Sequence, residues 1–151
     1  MSAKEWLEEF YPVTAGAIAA SARTGEVGSL DVIRHSLVKW KGLRPETLAK
    51  HGLKLAFQAV KDEEGQDILS IDSDSCSLCK LHTSECWECE ILTANGCSCI
   101  KDYKKAVYGE KRNVEPMIAL LERTLEAHGG EKAPTQEQNL IQSNSEGTKN
   151  D

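Results

Sequence analysis

The segment CSLCKLHTSECWECEILTANGCSC, Cys76 to Cys99, holds all six cysteines of a 151-residue chain and one of its four histidines. Thiols in this number can bind a soft metal ion, staple the chain with disulfides, or act as nucleophiles. The intervals favour the metal. Cys76-x2-Cys79 and Cys86-x2-Cys89 are tight pairs, and Cys97-x-Cys99 follows them. A two-residue gap lets both sulfurs of a pair face one ion while intervening backbone amides turn toward them, and tetrahedral zinc takes four such ligands at about 2.3 Å. Cys97 and Cys99 lie two apart, so in extended chain both would point to one face. Cys76, Cys79, Cys86, Cys89, Cys97 and Cys99 therefore form the expected ligand pool for structural zinc. Six thiols exceed the needs of one ion, so either two are spare or two ions share bridging thiolates. His82 is a further donor, although a lone histidine in a polar loop reads first as a bystander.

Competing chemistries fit the spacing less well. The fungal binuclear zinc cluster begins with the same C-x2-C-x6-C interval but departs from this chain after the third cysteine. The C-x2-C-x2-C run of bacterial ferredoxins is missing. Disulfides would need an oxidising compartment. C-W-E-C resembles a redox motif in spacing alone, without the βαβ context that such a motif needs. No phosphate-binding glycine loop, nucleophile elbow or H-E-x-x-H is present, and S-L-C-K lies inside the cysteine cluster without its companion motifs. A small metalloenzyme would need an open coordination position beside a general base, whereas a cysteine-rich donor set points to a closed site.

The elements that must position these thiols follow from capping and periodicity. Ser2 and Glu5 form a capping box opening a short helix with Trp6, Leu7 and Phe10 on one face, ended at Pro12. An alanine-rich helix is expected from Thr14 to Thr24. Ser29 is the expected N-cap of a third helix, in which Leu30, Ile33, Leu37 and Trp40 recur at intervals of three and four until Gly42. Pro45 opens a fourth, short helix ending at Gly52. Leu37, Trp40, Leu43, Leu48 and Leu53 are the expected core of this stretch. From Leu53 the pattern reads as a hairpin turning at KDEEGQD and returning through ILSID into the first cysteine pair. Asp102 to Tyr108 reads as a short helix, and Asn113 as the cap of a longer one carrying Met117, Leu120, Leu121 and Leu125. The fold class expected is α+β, mostly helical, with a small hairpin and a Cys-rich metal knuckle. One metal-stabilised domain is expected over 1–130, and residues 131–151 are polar enough to read as a disordered tail.

Composition narrows the partners. A net charge of -6 and a pI near 5.3 argue against a surface built wholly for nucleic acid. Locally, however, the stretch 34–54 is basic, and Arg34, Lys39, Lys41 and Arg44 make a possible binding surface, with an ordinary solvated helix face as the plainer reading. No run approaches the roughly 18 apolar residues of a membrane span. Glu5, Glu8 and Glu9 stand where a signal peptide would be basic, so the chain is expected in the cytoplasm with reduced thiols. The region 70–100 looks able to bury little apolar surface, so thiolate coordination would supply folding energy, on the order of 10 kcal/mol in zinc-finger peptides.

HSLVKWKGLRPETLAKHGL, then SIDSDSCSLC, CWEC and PMIALLERTLE, together resemble small Cys-cluster proteins of bacteriophages and bacteria. Those proteins share a W-x-G-L helical stretch ahead of a C-x-L-C and a second C-x-x-C. The resemblance spans roughly Ser29 to Glu126 and implies a small cytoplasmic accessory protein that acts by binding. The expected function is thus a zinc-binding protein-interaction module, with nucleic-acid binding through 34–54 as the alternative.

Overall fold

The computed structural model describes residues 2–56, 58–83, 88–96, 98–108 and 112–129. Cys86, Cys97 and the expected tail therefore lie outside the described residues. Among the described residues, no helix is long and apolar enough to cross a membrane.

Helix α1 (Ala3–Phe10) opens on the expected box: the Ser2 hydroxyl accepts from the Glu5 N–H, and the Glu5 carboxylate accepts from the Ser2 N–H at 2.7 Å. Its Trp6 is wholly buried and donates its indole N–H to the Gly42 carbonyl at 2.8 Å. That approach explains Gly42, where a Cβ would stand 2.4 Å from the Phe10 ring. Helix α2 (Ala15–Arg23) is capped by Thr14. Helix α3 (Ser29–Gly42) is the spine of the fold and buries Val32, Ile33, Leu37 and Trp40. Its N-cap is Gly28 rather than the expected Ser29. The Asp31 carboxylate reaches back to the Gly28 N–H at 3.1 Å and satisfies the turn from inside the helix. Helix α4 (Pro45–Lys50) starts at the proline as expected, and Leu43, Leu48 and Leu53 join the core.

The expected hairpin is a three-stranded antiparallel sheet ordered β1 (Lys54–Ala56), β2 (Ala59–Lys61), β3 (Asp67–Ser70). The stretch read as one strand folds back on itself, so Ala56 pairs with Ala59 and Leu55 with Val60. The KDEEGQD turn joins β2 to β3. There Asp62 accepts from the backbone N–H of Glu64 and Gln66, both at 2.9 Å, and Gly65 takes φ +83°.

The cysteine region is more helical than its sequence suggests. A 3₁₀ turn (Ser73–Ser75) leads into α5 (Ser77–Leu81), and α6 (Glu90–Asn95) precedes α7 (Ile100–Val107) and α8 (Glu115–Ala127). Helix α7 begins two residues before the expected Asp102. Asn113 accepts from the Glu115 N–H at 3.1 Å, one residue outside the assigned cap Val114. The region also buries more than its polarity implied: Ile71, Leu78 and Ile91 are each at most 1 % exposed and belong to the main core. At about 1.5–3 kcal/mol for each such side chain, packing contributes to anchoring this segment.

Candidate metal centre

Three of the six cysteines stand immediately before helices: Cys76 before α5, Cys89 before α6 and Cys99 before α7. Backbone amides freed at a helix start then meet sulfur. The N–H groups of Leu78 and Cys79 hydrogen-bond to the Cys76 sulfur, and those of Ile91 and Leu92 to the Cys89 sulfur. At Cys76 the amides are those that follow it within the C-x2-C pair, as that interval predicts, whereas at Cys89 they come from α6, beyond the pair. Gly96, at φ +74°, ends α6 directly ahead of Cys97.

Helix α3 carries the platform. Ser77, wholly buried, donates to the Val32 carbonyl at 2.8 Å, and the Lys39 Nζ donates to the Ser75 carbonyl at 3.0 Å. On the other side, the Arg23 guanidinium of α2 hydrogen-bonds the Lys80 and Leu81 carbonyls at the end of α5. Tyr103 of α7 donates its hydroxyl to the Ile71 carbonyl at 2.6 Å and accepts from the Gln58 side chain at 2.9 Å. Its ring meets Trp40 edge-on at 6.3 Å. These ties shape a cleft of about 400 Å³ lined by Lys39, Trp40, Asp72, Tyr103 and the thiols of Cys76, Cys79 and Cys99.

Cys76, Cys79, Cys89 and Cys99 form no disulfide with one another. The Cys79 thiol hydrogen-bonds to the Cys76 sulfur. That bond, more than the Lys39 charge or the backbone N–H groups, holds the Cys76 thiol well below the usual range against its burial. Cys79 is pushed up, by the proton it shares with Cys76 and by burial. Burial raises Cys89 to about 11. Cys76 is thus the more acidic thiol of the pair, and a divalent cation bound there would hold both sulfurs as thiolates.

Soft sulfur donors turned inward and met by backbone amides suit zinc in kind. In number they fall short: among the described residues, no group of three or more Cys, His, Asp or Glu stands close enough to hold an ion. A closed site would draw on Cys86 or Cys97 as well. His82 is engaged by carboxylates. Its Nε2 lies 2.8 Å from the Glu90 carboxylate and its Nδ1 3.9 Å from that of Glu88.

The possible binding surface of Arg34, Lys39, Lys41 and Arg44 needs correction at Lys39, which is 1 % exposed and faces the cleft. The remaining three cations have acidic neighbours: Arg34 with Asp31 at 3.8 Å, Lys41 with Glu122 at 3.7 Å, and Arg44 bidentate to Glu115 at 2.8 and 3.1 Å. Each acid offsets charge that a phosphate backbone would otherwise meet. Sequence reasoning missed Lys39 and Tyr103 as parts of the site. A signal for Lys39 existed, since it falls between Ser36 and Trp40 on the helix face that turns inward. In comparisons of the chain with protein-family models, curated proteins and solved structures, none matches it.

Proposed function

We propose that the protein is a zinc-stabilised interaction module, in which thiolates from the 76–99 segment close a structural metal site that fixes α5, α6 and α7 against α3. The observation carrying this reading is that Cys76, Cys79 and Cys99 line one cleft, with backbone amides directed at the Cys76 sulfur. Cys86 or Cys97 would complete the set. The metal would be structural, because four thiolates fill the tetrahedral positions and leave none for a reacting water. A protein partner is favoured over nucleic acid by the acidic balance of the chain and by the ion pairs that engage Lys41 and Arg44. Ile100 and Tyr108, 51 % and 53 % exposed on and just after α7, offer apolar contact area beside the cleft.

Cys79→Ser tests the metal half. The variant replaces one sulfur with a hydroxyl, which can still donate to Cys76 but is a poor zinc ligand, so both zinc content and melting temperature should fall. Unchanged metal content and melting would remove Cys79 from the site. Titration with a duplex oligonucleotide at low salt tests the partner class: the module should show no binding, whereas affinity that falls steeply with salt would favour nucleic acid.

A further inference from the structure

A second groove, between α4 and β1, is built without any of the described cysteines. Helix α4 contributes Pro45, Leu48 and Ala49, β1 contributes Lys54 and Leu55, and Arg112 joins them from just ahead of α8, around a volume of about 290 Å³. Leu48 is buried while Pro45 and Ala49 are exposed, so apolar surface runs here from the core out to solvent. Two cations stand on it. Among the described residues, no carboxylate forms an ion pair with Lys54 or Arg112, whereas Arg34, Lys41 and Arg44 each face an acid. Across the ladder from Lys54, Lys61 takes Asp67 for itself. The Arg112 Nε is buried and has no acceptor among the described residues. A buried donor left without an acceptor costs about 1–3 kcal/mol. Arg112 also holds φ +45°, a left-handed conformation uncommon outside glycine and of the kind that clusters at binding sites.

The backbone supplies a third feature. In the order β1-β2-β3, β1 is an edge strand, so one side of it is not paired within the sheet. An extended peptide laid along such an edge gains main-chain hydrogen bonds and sends alternate side chains to one face. We propose that the α4–β1 groove docks an extended peptide of a protein partner: a bulky apolar side chain enters the groove, and carboxylates two residues to either side meet Arg112 and Lys54. The inference rests on the interaction half of the reading above and is independent of the metal. Charge complementarity selects the occupant, since unpaired cations on an apolar groove favour an acidic segment over a neutral or basic one. The volume falls at the bottom of the range for pockets that enclose a small molecule, about 300–1,000 Å³, which favours one inserted side chain over a whole ligand.

The probe is a fluorescein-labelled peptide, Thr-Glu-Thr-Leu-Thr-Glu-Thr-amide, whose Glu and Leu side chains share one face when extended. Binding to the full chain is followed by anisotropy, and the site is located by amide chemical shifts, which should concentrate at α4, Lys54, Leu55 and Arg112. Replacing both Glu by Gln in the peptide should weaken binding by about tenfold or more, and replacing Leu by Ala about tenfold, the scale of one buried apolar side chain. Arg112→Gln should weaken binding about tenfold, the scale of a lost hydrogen bond to a charged group. Lys54→Gln should weaken it at most about fivefold, the scale of an exposed ion pair. Ala49→Glu sets a carboxylate on the rim and should abolish binding. Lys54 and Ala49 are exposed, so these two variants carry the test if Arg112→Gln does not fold.

No binding at about 1 mM peptide would overturn the proposal. So would equal affinity for the Glu and Gln peptides, Arg112→Gln within about twofold of wild type, or Ala49→Glu binding like wild type. Shifts confined to Ile100 and Tyr108 would place the peptide beside the thiol cleft, overturning the groove while leaving the interaction reading standing. Hexanoate competing as tightly as the peptide would make the ligand a free acid, and wild type that self-associates through these same residues would make it a second copy; either result overturns the peptide assignment. Zinc content is measured on the same sample, so metal bound without peptide binding overturns this proposal alone.

Discussion

Removing the Tyr103 hydroxyl isolates what holds α7, and with it Cys99, against the rest of the site. Tyr103→Phe keeps the ring that meets Trp40 edge-on and deletes one oxygen with two partners. Those partners differ in what they lose. Gln58 is exposed and can turn its amide to water at little cost. Ile71 is wholly buried, and its carbonyl loses the 2.6 Å bond that satisfied it. A buried acceptor left without a donor costs about 1–3 kcal/mol. The Gln58 bond adds a few tenths at most, so Tyr103→Phe should destabilise by about 1–2 kcal/mol. Urea unfolding should show a lower midpoint with an unchanged slope, because the surface exposed on unfolding is the same. In a domain of this size the melting temperature should fall by several degrees. Because Cys99 starts the same helix, metal release should also quicken. Stability within about 0.3 kcal/mol of wild type would refute the reasoning, since it would mean the Ile71 carbonyl does not depend on this hydroxyl.

Two further outcomes follow from packing and burial. Gly42→Ala sets a helix-propensity gain of at most about 1 kcal/mol against a Cβ placed 2.4–2.8 Å from Phe10, including its Cβ, which cannot swing aside. Overpacking of this kind costs about 1–3 kcal/mol, so urea unfolding should show a net loss; a gain would mean α1 can slide away from α3 freely. His35 lies with Nε2 2.6 Å from the Val13 carbonyl and a buried Nδ1 that has no partner among the described residues. Burial lowers its pKa. The unfolded chain therefore takes up a proton, near its ordinary value of about 6.5, that the folded protein refuses. Stability from this residue is complete above that value and declines as pH falls toward the folded pKa. His35→Gln, which still offers Val13 a donor, should show a shallower loss of melting temperature between about pH 7 and pH 5. Identical acid limbs would contradict the burial argument.

What the sequence made legible was whatever depends on local chemistry. The Ser2–Glu5 box, the Pro45 start, the glycine turn at Gly65 and the apolar stripe ending in Trp40 all signal through residues a few positions apart, and all stand in the structure. Helices α5 and α6 span five and six residues, too short for a period to emerge, and their reason for existing is tertiary. Leu78 and Ile91 reach the core from segments whose average polarity hides them. The fold-back at Ala56–Ala59 was invisible because strand alternation reads the same whether a segment runs straight or pairs with itself. In the candidate site, the cysteine intervals pointed to sulfur met by intervening backbone amides, and that much is present at Cys76, while the amides at Cys89 belong to the start of α6. Lys39 was assigned to a basic surface because lysine is normally exposed, and only the packing of α5 on α3 reveals that this one is not.

The central claim, that the thiols are reduced and hold structural zinc, is tested most directly by elemental analysis of protein purified without added metal, together with a free-thiol count after denaturation. One or two zinc ions per chain with six free thiols is the predicted result. Protein without metal, with its cysteines oxidised in pairs, would contradict the account and turn the 76–99 segment into a disulfide staple.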